Sequence, residues 1–183
     1  MEDLELVRKA EQGNQGAFAS LLERYKNAVY SLLYRTIGDR EDARDLTQET
    51  FLRAYRKLSS FNPAYRFSTW IFRIATNLAI DRHRKRPPRT ISLGTDEGAV
   101  DIADPRPDPS QEVLGRLKAE AVMKALAKLP EALRAVLVLR FVKKLSYDDI
   151  AAIRGEPLGT IKTRIFRGRE QMLRQLKTEG VLL

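Results

Sequence analysis

The stretch LSYDDIAAIRGEPLGTIKTRIFRGRE, residues 145–170, decides the fold. It holds a short segment opened by Ser146, a break at Arg154-Gly155-Glu156, and a longer basic segment opened by Pro157. A Ser followed by acids in the first turn caps a helix and complements its dipole, so Asp148 and Asp149 read as capping groups and not as metal or acid–base carboxylates. Stepping about 100° per residue along the second segment brings Leu158, Ile161, Ile165, Met172 and Leu176 onto one stripe, the expected core face. The opposite side carries Thr160, Thr163, Arg167 and Arg174, with Phe166 on one flank and Lys162 nearby. A solvated face has little use for a Phe, whereas DNA has a use for each type. Arg and Lys reach phosphates or guanine edges, Thr bonds either, and Phe meets a thymine methyl. A short helix, a Gly-containing turn and a basic helix form the helix-turn-helix pattern. An ordinary basic surface pair has the same spacing, so the local pattern leaves both readings open.

Upstream, the same periodicity predicts helices throughout. One runs from Gln15 to Ile37 and stops at Gly38; Asp39 caps the next, with Glu41 and Asp42 in its first turn and Arg56 and Lys57 at its end. FNP, at Phe61 to Pro63, breaks the chain before a helix over Phe67–Lys85. There Phe67, Ile71, Ile74, Ala75 and Leu78 cluster on one side, while Trp70, Arg73, Asn77 and Arg84 share another. An outward Trp above Arg and Asn suits bases stacked on an aromatic ring and bonded by an amide. A Trp packed beneath a neighbouring helix is the equal alternative. Arg82, His83, Arg84, Lys85 and Arg86 add a phosphate-binding end, with His83 a phosphate contact or a bystander.

Between Pro87 and Ser110 the composition shifts to Pro, Gly and Asp without helical period, which reads as a linker. Formal charge is +5 through residue 87, −3 over 88–110 and +7 from 111 onward. The expectation is therefore all-α: two small helical domains, 1–87 and 111–183, joined by a flexible acidic linker, 88–110, with the helix-turn-helix in the second. Asp108-Pro109, Pro130, Ser146 and Pro157 open the helices of that second block.

The 183 residues carry 33 Lys and Arg against 24 Asp and Glu, a net +9 that attracts polyanions, whether nucleic acid or acidic lipid headgroups. With no Cys and one His, disulfides, thiol nucleophiles and multi-His metal centres are excluded. No signal-like N-terminus and no run of about 18 uncharged apolar residues is present, so a soluble cytosolic protein without membrane insertion is expected. No catalytic residue, metal site or cofactor motif is found, and an enzyme is not expected.

Three segments then resemble one family. DREDARDLTQETFLRAYRKL from Asp39, FSTWIFRIATNLAIDRHRKR from Phe67 and the stretch from Leu145 stand in the order found in the extracytoplasmic-function (ECF) group of bacterial RNA polymerase sigma factors. The likeness covers nearly the whole chain. It implies a factor that binds core RNA polymerase and directs initiation at promoter DNA, one domain reading the −10 element as single strand and the other the −35 duplex. Carried over, Asp42, Asp45, Leu46, Gln48, Glu49 and Phe51 meet the polymerase clamp, although simple dipole stabilisation and solvation also account for the acids. Phe61, Trp70, Arg73 and Asn77 contact the −10 strand, with Arg84 on the same face. Lys162, Thr163, Phe166 and Arg167 read the −35 duplex. The linker would run through the RNA-exit path, its acidity mimicking a transcript, and an anti-sigma factor would cover idle surfaces and could hold the protein at the membrane.

Departures from the family pattern stand at Arg44, where an acid is common, at Glu156, where an apolar residue often anchors the turn, and at Gly168, where Ala is usual and Gly costs about 1 kcal/mol of helix propensity. Tyr65 offers an extra stacking group. Two other classes compete. A stand-alone helix-turn-helix regulator with an N-terminal interaction domain would need a dimer seam, and none is seen. A nucleic-acid-processing enzyme would need a metal-binding acid cluster.

Overall fold

Side-chain caps open three of the described helices. In the computed structural model, which describes residues 2–85 and 119–178, the helices are α1 (Asp3–Glu11), α2 (Gln15–Ile37), α3 (Arg40–Arg56), α4 (Phe67–Lys85), α5 (119–127), α6 (Glu131–Leu137), α7 (Tyr147–Arg154) and α8 (Leu158–Thr178). A 3-10 turn at Leu58–Ser60 follows α3, and a π turn at Val138–Val142 continues α6. No strand occurs among the described residues. The Asn14 side chain accepts from the Ala17 N–H at 3.0 Å, and Asp39 accepts from the Asp42 N–H at 2.9 Å, satisfying donors a helix start leaves open. Ser146 and Asp149 form a full capping box, and α7 stops at Gly155, whose left-handed φ of 63° suits a residue without Cβ. The linker 88–110 and the expected helix opening at Asp108-Pro109 lie outside the described residues.

In the first half α2 is central, packing on α1, α3 and α4. Leu21, Val29, Leu32 and Leu33 are all at most 2% exposed, each burial contributing about 1.5–3 kcal/mol. Helix α1 was not expected from the sequence. Its Leu6, Val7 and Ala10 form a narrow apolar face amid acids, and Asp3 ties it to α2 through Arg24 and Tyr25. In the second half α8 packs on α6 and α7, burying Ile150, Ile153, Ile161 and Ile165.

The halves also pack on each other, α4 against α7 and α2 against α6 and the π turn, so that one set of buried residues runs through both. Arg134 of α6, 7% exposed, lies at this junction. Its Nη1 donates to the Thr36 carbonyl at 2.8 Å, near the end of α2. Its Nη2 donates to the Ala127 and Leu129 carbonyls at 2.7 and 2.9 Å, where α5 ends. Helix C-termini leave carbonyls unpartnered and carry partial negative charge, which a guanidinium answers. Burial pulls the Arg134 pKa down, opposed by the nearby Glu131 carboxylate. Alongside, the Lys143 ammonium lies 5.9 Å from the Phe72 ring centre, and burial, reinforced by Arg35, pushes its pKa down to about 8.

Helix α4 therefore buries two faces. Phe67, Ile71, Ala75 and Leu78 are buried as the periodicity predicts, but Thr69, Phe72 and Thr76 are buried too, on the half of the molecule where α7 packs. The Thr69 hydroxyl reaches Asp149 of α7 at 3.5 Å, while that of Thr76 is buried without a partner.

Candidate nucleic-acid interface

The outer side of α8 is open. Lys162, Thr163, Phe166 and Arg167 are all exposed, Phe166 at 63%, a large ring with no internal partner. Ile161, Ile165 and Leu176 are buried beneath them, as the stripe requires. Leu158, expected in that stripe, is instead 36% exposed, and the buried run begins one turn later at Ile161. Gly168 has a reason in packing. A Cβ there would stand 3.1–3.3 Å from the Leu137 side chain of α6, so the missing methyl lets the two helices approach.

The turn ahead of α8 is held by charge. The Glu156 Oε1 accepts from Arg164 Nη1 at 2.8 Å and lies 3.4 Å from Arg154 Nε. Arg154 in turn places Nη1 3.4 Å from Glu131 at the start of α6. Before α7, Arg140 donates to the Leu145 carbonyl at 2.7 Å and stacks 4.9 Å over the Tyr147 ring, fixing the entry into the motif.

On α4, Arg73, Asn77 and Arg84 are exposed, as is His83. Trp70 is half-buried, its ring centre 5.6 Å from both Phe61, in the loop before α4, and Phe67, one turn earlier on α4 itself, rather than beneath a neighbouring helix. Phe61 is 9% exposed and supports Trp70 from below. Arg82 of the basic run is turned inward onto Asp42 at 2.6 Å. Beside this cluster lies a cleft of about 590 Å³, lined by Asp3, Arg24, Tyr25, Phe61, Tyr65 and Arg66 among others. The Tyr25 hydroxyl donates to Asp3, and burial together with that bond pushes the phenol above its ordinary range. Aromatic walls with a carboxylate and two guanidiniums suit an unstacked base. Sequence reading singled out Tyr65, which is 57% exposed, but not the contribution of α1.

On α3 the six expected polymerase contacts divide. Asp45 and Gln48 are exposed, and Glu49 is half-exposed and bonded to Arg53 at 2.7 Å. Asp42, Leu46 and Phe51 are 4–5% exposed and face inward. Leu52 and Tyr55, missed from the sequence, are 53% and 48% exposed, and with Asp45 and Gln48 they make one stripe at helical spacing. Spacing of three, four and three along α3 was the signal for them. Among the described residues no group of His, Asp and Glu could hold a metal ion, and no helix is long and apolar enough to cross a membrane.

Comparison with known proteins follows the same division. Residues 21–87 match the family described as Sigma-70 region 2, and residues 119–172 match Sigma-70, region 4. The chain is 38% identical over 177 residues to the ECF RNA polymerase sigma factor SigW of Bacillus subtilis, covering 93% of this chain and 95% of that one. It is 38% identical over 178 residues to the ECF RNA polymerase sigma-E factor of Haemophilus influenzae, covering 94% of each. Among solved structures it is similar to CnrH in complex with the cytosolic domain of CnrY, with a TM-score of 0.70 and 28% identity over 96% of this chain and 97% of that one. It is also similar to the sigma factor RpoE in complex with the anti-sigma factor NepR from Bartonella quintana, with a TM-score of 0.71 and 26% identity over 87% of this chain and 96% of that one.

Proposed function

The chain belongs to the ECF group of RNA polymerase sigma factors, and from that premise we propose how its surfaces divide the work of promoter-specific initiation. Residues 1–87 form the domain that docks on core polymerase and captures the −10 strand, 88–110 form the linker, and 111–183 form the domain that reads the −35 duplex. The observation that carries this division is the agreement between family region and outward chemistry. The half matching region 2 presents Arg73, Asn77 and Arg84 beside an aromatic cleft, and the half matching region 4 presents Lys162, Thr163, Phe166 and Arg167 on one open helix face.

Cations on α8 neutralise phosphates and, with Thr163 and Phe166, read base edges in the major groove. Strand capture on α4 uses Trp70, backed by Phe61, as a stacking platform and Asn77 as hydrogen-bonding amide. Binding energy for open strand draws the duplex apart; the polymerase supplies the chemistry. On α3, Asp45, Gln48 and Glu49 face the polymerase together with Leu52 and Tyr55, while Asp42, Leu46 and Phe51 hold that stripe in place from beneath. An anti-sigma factor covers these surfaces when the protein is idle, and the factor works in the cytoplasm.

The test is transcription of fragmented genomic DNA by core polymerase with and without this protein, followed by sequencing of transcript 5′ ends. New starts that share two spaced upstream elements are expected. No new starts, with the chain alone protecting specific duplex sites, would make it a stand-alone regulator instead.

A further inference from the structure

Glu156 occupies the turn between α7 and α8, where its backbone N–H donates to the Ala151 carbonyl at 3.2 Å and closes α7. Its carboxylate is 21% exposed; Oε1 accepts from Arg164 Nη1 at 2.8 Å, while Oε2 lies 2.5 Å from the same nitrogen without accepting a hydrogen bond. The same carboxylate lies 3.4 Å from Arg154, whose side chain is 5% exposed and whose other contact is Glu131 at 3.4 Å. Two carboxylates and two guanidiniums thus tie the start of α6, the end of α7 and the middle of α8 into one neutral cluster. An apolar residue at 156 would leave the buried Arg154 charge with one long contact, a costly arrangement.

The place of Arg164 in α8 gives the cluster its consequence. It follows Lys162 and Thr163 and precedes Phe166 and Arg167. At about 100° per residue, a side chain held back toward the turn fixes the roll of the helix and so the direction in which its neighbours point. The charge-assisted hydrogen bond from Arg164 Nη1 to Glu156 Oε1 is directional, unlike apolar packing, so it specifies roll more tightly. It also keeps Arg164, 29% exposed at its side chain, engaged inside the motif.

We infer that Glu156 is a positioning residue for −35 recognition, acting through Arg164 to set the roll of α8 so that Lys162, Thr163, Phe166 and Arg167 meet the groove together. The inference rests on the proposed division of promoter reading. It is tested with holoenzyme reconstituted from core polymerase and the full chain, transcribing a promoter found by the start-site mapping. A matched template has its −35 element replaced by unrelated sequence. For Glu156→Gln, output on the native promoter is expected to fall about tenfold, the scale of one mismatched contact, with output on the replaced template unchanged. Arg164→Gln is expected to show the same loss and the double variant no more than the larger single loss, because both act through one contact. Glu156→Asp, which keeps the carboxylate, is expected to recover part of the native output.

Native output unchanged or raised in Glu156→Gln would overturn the inference, since removing a negative charge near DNA would then be the whole effect. An equal fall on both templates would also overturn it, as a general folding defect. Should Glu156→Gln fail to fold, Glu156→Asp and Arg164→Gln carry the same comparison between templates. Failure of the unsubstituted chain to direct any promoter-dependent start would instead strike the proposed function.

Discussion

Helices α4 and α8 both carry base-reading residues in the proposed function, yet they are seated differently. Helix α8 buries a stripe headed by Ile161 and Ile165 and leaves Lys162, Thr163, Phe166 and Arg167 open. Helix α4 buries two faces, and its main aromatic, Trp70, is wedged against Phe61 and Phe67. The difference fits two targets. A duplex groove needs a helix that projects, whereas an unpaired base needs a wall to stack on and a recess to enter. It also means that reading and stability are separable on α8 and entangled on α4.

The sharpest way to break that contrast is Trp70→Ala. It removes ring packing as well as the platform, so the expected result is a stability loss of about 3 kcal/mol by urea denaturation together with impaired strand opening. Loss of opening with full stability would show that Trp70 is as detached as the α8 readers. Arg167→Ala should do the converse: weaken −35 recognition by about 2 kcal/mol in binding to native versus altered duplex, with thermal unfolding unmoved. A substantial fall in melting temperature would mean that α8 is entangled too.

Smaller effects probe the second buried face of α4. Thr76→Val replaces an unpartnered buried hydroxyl by a methyl of similar shape and should raise stability by about 1 kcal/mol in the same denaturation assay. A loss would mean that the hydroxyl is satisfied in solution.

Lys143 gives a signal confined to alkaline pH. Its pKa falls from 10.5 to about 8 on folding, so between those values the unfolded chain holds a proton that the folded chain lacks. Stability therefore rises with pH across that window, and below about pH 8 both states are protonated and the burial cost is fully present. Lys143→Met should flatten the rise measured from pH 8 to 10.5; an unchanged slope would assign it to other groups.

What was legible in the sequence was local. The end of the Gln15–Ile37 helix follows from Gly38, and the helix-turn-helix from Ser146, Gly155 and Pro157, because caps and breakers act within a turn. The open face of α8 was legible because one stripe holds most of its apolar residues. What escaped depends on partners far along the chain. Asp42 looked like a surface acid until Arg82, forty positions on, was found beside it. Thr69 and Thr76 carry no apolar signal, yet α7 covers their side of α4, and α1 is short and acidic enough to hide its three buried residues. Glu156 stood out as a departure, but only the approach of Arg154 and Arg164 gives it a role.

Arg134 has a consequence for how this chain tolerates change. Each of its three hydrogen bonds ends on a main-chain carbonyl, at Thr36, Ala127 and Leu129. Every amino acid supplies a carbonyl, so replacements at those three sites leave the acceptors in place as long as the helices end where they do. The donor has no such latitude, since Lys offers a single ammonium where a planar fork now spans two helix ends. Sequence drift is therefore forgiven on one side of the contact and concentrated, as intolerance, at a single codon on the other.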